Sequence, residues 1–152
     1  MNKKIFFASI AVALGSIVTA NAFAQAKPDV LVKQRQAGMT LIAKYFGPLG
    51  GMAAGRVPYD AAVVARNAGY LDVLTLLPWD GFNASTSGEK SGTLPAAYSD
   101  AAKFKEAGDA LHTAVVKLAS VAKGGSEADV KAAIGAVGKT CGGCHDNFRA
   151  KP

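Results

Sequence analysis

TCGGCHDNFRAKP, residues 140–152, holds both cysteines of the chain, Cys141 and Cys144, with His145 directly after them. On a helix these three positions stand at i, i+3 and i+4 and share one side. Two thiols and an imidazole on one side suit three kinds of chemistry. Zinc would take all three but wants a fourth ligand, and the chain offers only His112 besides, with no further cysteine. A thioredoxin-like redox pair would need a βαβ setting. The third kind is a C-x-x-C-H motif, in which each thiol is bonded to a haem vinyl group and the histidine to iron. Covalent haem c is the reading adopted. Gly142 and Gly143 lie between the thiols. Each costs a helix interior about 1 kcal/mol relative to Ala. They read either as room for a porphyrin or as a frayed helix end.

Upstream of the motif the pattern is helical throughout. Val130, Ile134, Val137, Cys141, His145 and Phe148 recur at three and four, after a capping pair at Ser126 and Asp129. Before Gly124-Gly125, Phe104, Ala107, Leu111, Val115, Leu118 and Ala122 repeat in the same way from a start near Ser99 or Asp100. Another helix runs from Asp60, a capping residue, to Pro78, with Val64, Leu71, Leu74 and Leu77 on one face. The first begins at Pro28-Asp29 and carries Val32, Arg35, Met39, Ile42 and Phe46, with a bend or fraying expected at Gly47-Pro48. Residues 79–95 are rich in Gly, Ser, Thr and Asn and read as a long loop, of the kind that is functional when it interrupts a compact domain. No stretch alternates with strand period. Four amphipathic helices in one small domain predict an all-α fold, an antiparallel four-helix bundle with covalently bound haem. The chain is rich in Ala, which leaves space in a bundle interior for something other than side chains.

The other end of the chain is a separate segment. MNKK is followed by a short apolar run and then by ANAFAQ, an A-x-A pattern. Residues 1–24 read as a secretory signal peptide, cut before Gln25, and residues 25–152 as the mature domain. Cleavage removes two of the 17 basic residues, Lys3 and Lys4, and none of the 11 acidic ones, which leaves a net charge of +4. The basic residues are scattered, and no basic patch is interleaved with aromatics, so nucleic acid is not an expected partner. No later segment is apolar and long enough for a membrane helix. Export suits haem c, which is attached outside the cytoplasm, and places the protein in the periplasm.

At this point the residues carry a resemblance. RQAGM at 35–39, PYDAA at 58–62, LPWDGF at 77–82 and CGGCHDNFR at 141–149 resemble the class II c-type cytochromes, the cytochrome c′ family. The C-x-x-C-H lies near the C-terminus, on the last of four helices, as in that class. The resemblance covers essentially the whole mature chain. It implies one haem held by thioethers at Cys141 and Cys144, with His145 as proximal iron ligand. Arg149 would stand one turn on, near that histidine. Arg35 and Gln36 match the family's pair near the haem propionates, where a cation suits a carboxylate. Glu89, in the long loop, would approach the haem edge. Trp79 and Phe82 would pack near the haem, and His112 would lie at the surface or boundary. The family is usually homodimeric through the first two helices.

Met39 falls at the family position facing the open side of the haem. As an apolar plug it leaves the iron five-coordinate and suits binding of nitric oxide or carbon monoxide. As a sixth ligand it makes a low-spin carrier that exchanges electrons with redox partner proteins. The plug is the expectation, with the carrier as its alternative. No acid–base pair or nucleophile accompanies the haem motif, so a turnover enzyme is not expected.

Overall fold

The computed structural model describes residues 26–151. The expected signal peptide lies outside the described residues. Four long helices dominate: α1 (Pro28–Ala53), α2 (Ala61–Leu74), α4 (Ala101–Val121) and α5 (Glu127–Phe148), with a single helical turn, α3 (Ala96–Ser99), before α4. Short links at 54–60 and 122–126 join α1 to α2 and α4 to α5, so each pair runs antiparallel. Contacts of α1 with α2, α2 with α4, α4 with α5 and α5 with α1 close the ring into a four-helix bundle. The fold class expected from the pattern is the fold found.

Side chains satisfy the helix starts as their residue types predict. Asp60 accepts from the Val63 N–H at 3.0 Å, and Ser126 accepts from the Asp129 N–H at 3.2 Å. Two expectations fail. α1 does not fray at Pro48 but continues as helix to Ala53. Proline removes one backbone donor there, but Leu49 and Met52 on the next turn are buried and hold the helix against the bundle. α2 stops at Leu74 rather than reaching Pro78, and Leu77, expected on the inner face, is 55% exposed. Thr75 follows instead as a fully buried cap, its hydroxyl donating to the Leu71 carbonyl at 2.9 Å.

The interior has two parts. Leu49, Val64, Leu71, Val115, Leu118, Val130, Ile134 and Val137 form an aliphatic core between all four long helices. A smaller cluster of Ala97, Phe104 and Phe148, with Phe82 and Tyr98 against it, lies beside the 79–95 loop. Trp79 packs against both clusters. The space expected among alanines in the bundle interior is therefore filled by larger aliphatic side chains. The open space is a cleft beside the aromatic cluster.

The 79–95 segment is not structureless. It contains two 3₁₀ turns, Trp79–Gly81 and Ala84–Thr86, the second closed by Asn83. Its last residues pair with the end of α5: the Leu94 N–H donates to Phe148 O at 2.9 Å, and the Ala150 N–H donates to Gly92 O at 2.8 Å.

Candidate haem site

A cleft of about 290 Å³ opens between α1, the 79–95 segment and α5. Its walls are Arg35, Gln36, Met39 and Thr40 from α1, Phe82 and Ser91–Thr93 from the loop, Phe104 from α4, and Cys144, His145, Phe148 and Arg149 from α5. The packing of α1 on α5 thus brings together residues more than a hundred positions apart. Six of the eight residues singled out in the sequence line this cleft: Arg35, Gln36, Met39, Cys144, His145 and Arg149.

Cys141 and Cys144 are free thiols, each half-buried. Cys144 faces the cleft and packs on the aromatic cluster, whereas Cys141, one turn earlier, packs against the aliphatic core. Burial pushes both thiols' pKa values up, and the proximity of Cys141 adds to the effect at Cys144. Both thiols are therefore protonated at neutral pH. His145 is exposed as a residue, yet the packing around its ring lowers its pKa, with Arg149 contributing and Asp146 opposing. The imidazole is thus neutral at neutral pH, the state an iron ligand requires. Arg149 Nη1 stands 3.4 Å from His145 Nδ1, which leaves Nε2 as the nitrogen without a protein neighbour among the hydrogen bonds of the described residues.

Arg35 is buried, at 3% exposed, although it is charged. Its Nη1 donates to Gly81 O at 2.6 Å, Thr86 Oγ1 at 3.0 Å and the Tyr98 hydroxyl at 3.0 Å. Its Nη2 donates to Ser91 Oγ at 3.1 Å and Thr93 Oγ1 at 3.2 Å. The guanidinium also lies over the Phe82 ring, 4.3 Å from its centroid. A side chain at position 81 would leave no room for this approach, because a Cβ there would stand 3.0 Å from both Arg35 Cβ and Leu31 O.

Glu89 is not among the cleft walls. Its N–H closes a turn on Thr86 O at 3.2 Å, and the rim is made by the next residues, Ser91 to Thr93. Trp79 stands one layer back, its indole N–H on Thr75 O at 2.6 Å, and only Phe82 of the two expected aromatics reaches the wall. His112 is half-buried with Nδ1 3.1 Å from Thr75 Oγ1, so it is not a fourth ligand to the α5 cluster. Among the described residues no group of three or more His, Cys, Asp or Glu is arranged to hold a bare metal ion.

Haem fits this donor set. Two unpaired thiols and a neutral imidazole share one side of α5. Phe82, Phe104, Phe148 and Met39 supply apolar walls, and Arg35 and Arg149 bring positive charge to the cleft. Cβ positions built at Gly142 and Gly143 meet no protein atom within 4 Å, so no packing inside the chain demands glycine there. Fold and cleft together define a helical-bundle c-type haem protein.

Comparison with known proteins narrows the class. The family model described as Cytochrome C' matches residues 30–149. A cytochrome c' of Rubrivivax gelatinosus is 43% identical over 126 residues, covering 82% of this chain and 98% of the relative. The solved cytochrome c prime of Shewanella frigidimarina superposes with a TM-score of 0.80 at 32% identity, covering 84% of this chain and 99% of that one. A nitric oxide complex of a mutant cytochrome c prime from Alcaligenes xylosoxidans superposes with a TM-score of 0.77 at 40% identity, covering 84% and 99%. The chain belongs to the cytochrome c′ family. Its cofactor is haem c, which the family binds covalently through cysteine.

Sequence reading missed Thr40, Ser91, Gly92, Thr93, Phe104 and Phe148 as walls. Phe104 and Phe148 were visible as inner-face residues. Nothing in a Gly/Ser/Thr-rich loop marks which hydroxyls will face a cleft.

Proposed function

We infer that the protein is an exported, periplasmic cytochrome whose iron is five-coordinate, with His145 Nε2 as its one protein ligand, and that it takes up small uncharged gases such as nitric oxide or carbon monoxide. Haem supplies the iron that binds the gas and changes between ferric and ferrous states. The chain does the rest. Cys141 and Cys144 tether the ring to α5, and the open space at Gly142 and Gly143 leaves room for its face. Arg35 and Gln36 meet the propionates with positive charge and an amide. Arg149 fills the place beside His145 Nδ1 where a ligating histidine usually finds an acceptor. A cation cannot accept that proton, so it withdraws electron density and keeps the imidazole a weaker donor to iron.

One observation carries the open-side reading: Met39 is half-buried and packs against the aliphatic core while it lines the cleft. A side chain held by its own helix's packing acts as a plug. Beside it, the Thr40 hydroxyl is spent on Gln36 O at 2.9 Å, so it is not a free donor for bound dioxygen. A neighbouring structure described as a nitric oxide complex supports the choice of gas. No acid–base pair stands in the cleft apart from the haem-holding residues, which favours a carrier over a turnover enzyme.

The signal segment at residues 1–24, followed by the domain from 25 to 152, supports export. No helix among the described residues is long and apolar enough to cross a membrane. Homodimerisation through α1 and α2 is part of the same proposal. Leu41 on α1 and Tyr70, Val73, Leu76 and Leu77 on α2 and the turn after it expose apolar surface on that side, at 40–59%.

The test is an absorption spectrum of the ferrous protein with and without Met39→Ala. A high-spin Soret band in both, with faster and tighter carbon monoxide binding in the variant, is expected. Sharp low-spin α and β bands lost on Met39→Ala would make Met39 a sixth ligand and the protein a dedicated electron carrier with a redox partner.

A further inference from the structure

Arg35 is buried, charged and without a carboxylate. None of the ion pairs among the described residues includes it. Its five hydrogen-bond partners are all neutral, and all belong to the segment between Gly81 and Tyr98. The four Nη hydrogens face five oxygens of this segment, and the Nε hydrogen has no partner among the hydrogen bonds of the described residues. The Nη hydrogens therefore do more than carry positive charge to the cleft. They hold an irregular segment that has little else to hold it. Thr86, fully buried, bonds Gly81 O and Asn83 O, and the Tyr98 hydroxyl closes on Thr86 O at 3.1 Å. These bonds lie within the segment itself. Arg35 is what ties the segment to α1.

The other end of the segment is tied to α5. Gly92 and Leu94 flank Thr93, and they are the two residues that pair with Ala150 and Phe148. Arg149 lies between those two partners, and its guanidinium is the group beside His145 Nδ1. A continuous path therefore runs from Arg35 through Thr93 and the backbone pair to Arg149. It joins the helix that carries Met39 to the helix that carries His145.

We propose that Arg35 is a positioning residue: it clasps the 81–93 segment to α1 as the wall of the haem cleft and, through the Gly92–Ala150 and Leu94–Phe148 pairs, sets where Arg149 stands against His145. Only the part about His145 rests on the haem reading. The clasp itself is a property of the chain.

The distinguishing variant keeps the charge. Lysine presents one compact ammonium on a flexible stem and cannot span acceptors that arginine's planar fork reaches together. Arg35→Lys in the holoprotein should speed amide exchange at Leu94 and Ala150 about tenfold or more, as expected for losing bonds of this type. Amides of Val115 and Leu118 in the aliphatic core should not change. The iron–histidine stretch in the resonance Raman spectrum of the ferrous protein should shift as Arg149 loses its seat.

A second variant approaches from the other side. Ser91→Ala with Thr93→Val leaves Arg35 and its charge in place and removes two acceptors. It should accelerate the same two amides and move the same stretch, in smaller measure. If Arg35→Lys fails to fold, this variant decides alone. Wild-type exchange at Leu94 and Ala150 in either variant would reduce Arg35 to a source of charge and overturn the clasp. Accelerated exchange with an unmoved stretch would overturn its reach to His145. Intact mass reports separately whether haem is attached, so a failed haem reading would not be mistaken for a failed clasp.

Discussion

The two ends of the molecule hold together by different physics. Away from the cleft, side chains at helical spacing from all four long helices meet in an aliphatic core with short links and side-chain caps. Beside the cleft, a long irregular segment must satisfy its own backbone and hydroxyl groups. It does so with two 3₁₀ turns, a pair of backbone bonds to the α5 terminus, and one buried arginine. Apolar packing is non-directional and survives small changes of register. A fan of charge-assisted hydrogen bonds is directional, and each unmade bond leaves a buried group unsatisfied. The aliphatic end is therefore built for stability, and the cleft end for geometry.

The largest expected break in this comparison is Cys141→Ala with Cys144→Ala. Haem surviving acid–acetone extraction should disappear completely. Amide protection should then fall around the cleft before it falls in the aliphatic core, because bound haem stabilises only the folded arrangement it contacts. Covalent haem persisting in the double variant would refute the attachment site. Uniform loss of protection would refute the division into two ends.

Leu118→Ala strikes the other end. Leu118 is fully buried in the aliphatic core, and its truncation should cost about 2–5 kcal/mol in denaturant unfolding. The haem spectrum of the folded variant should match wild type. A shifted spectrum would mean that the two ends are mechanically coupled more closely than their separate clusters imply.

Gly81→Ala is the smallest and the most local change. The added methyl meets Arg35 Cβ and Leu31 O at 3.0 Å, so the loop must shift, at a cost of about 1–3 kcal/mol. Exchange at Phe82 and Thr86 should rise, while the midpoint of unfolding falls less than for Leu118→Ala. An unchanged midpoint would show that the Gly81 approach to Arg35 is slack.

Much of this was legible without coordinates. The run of Val130, Ile134, Val137, Cys141, His145 and Phe148 placed the haem motif on an amphipathic helix, and α5 is that helix. Asp60 and Ser126 marked their helix starts because a side-chain oxygen beside free N–H groups acts over a few residues. The readings that failed also failed for local reasons. Pro48 lacks a donor, but the burial of Leu49 and Met52 outweighs one lost bond. Leu77 has the right spacing for α2, but the helix has already ended at Leu74.

By itself the sequence determined the helical class, the number of long helices and the presence of a C-x-x-C-H motif suited to covalent haem c. Periodicity, capping and a five-residue motif are local, and each can be read within a few turns of chain. Only the tertiary structure decided that Arg35 is buried, that Ser91 and Thr93 face it, and that Cys141 and Cys144 pack on different clusters. The bonds of Arg35 span 46 to 63 residues of chain. Which hydroxyl meets which guanidinium across such a separation depends on how the helices pack and where the loop is then forced to run.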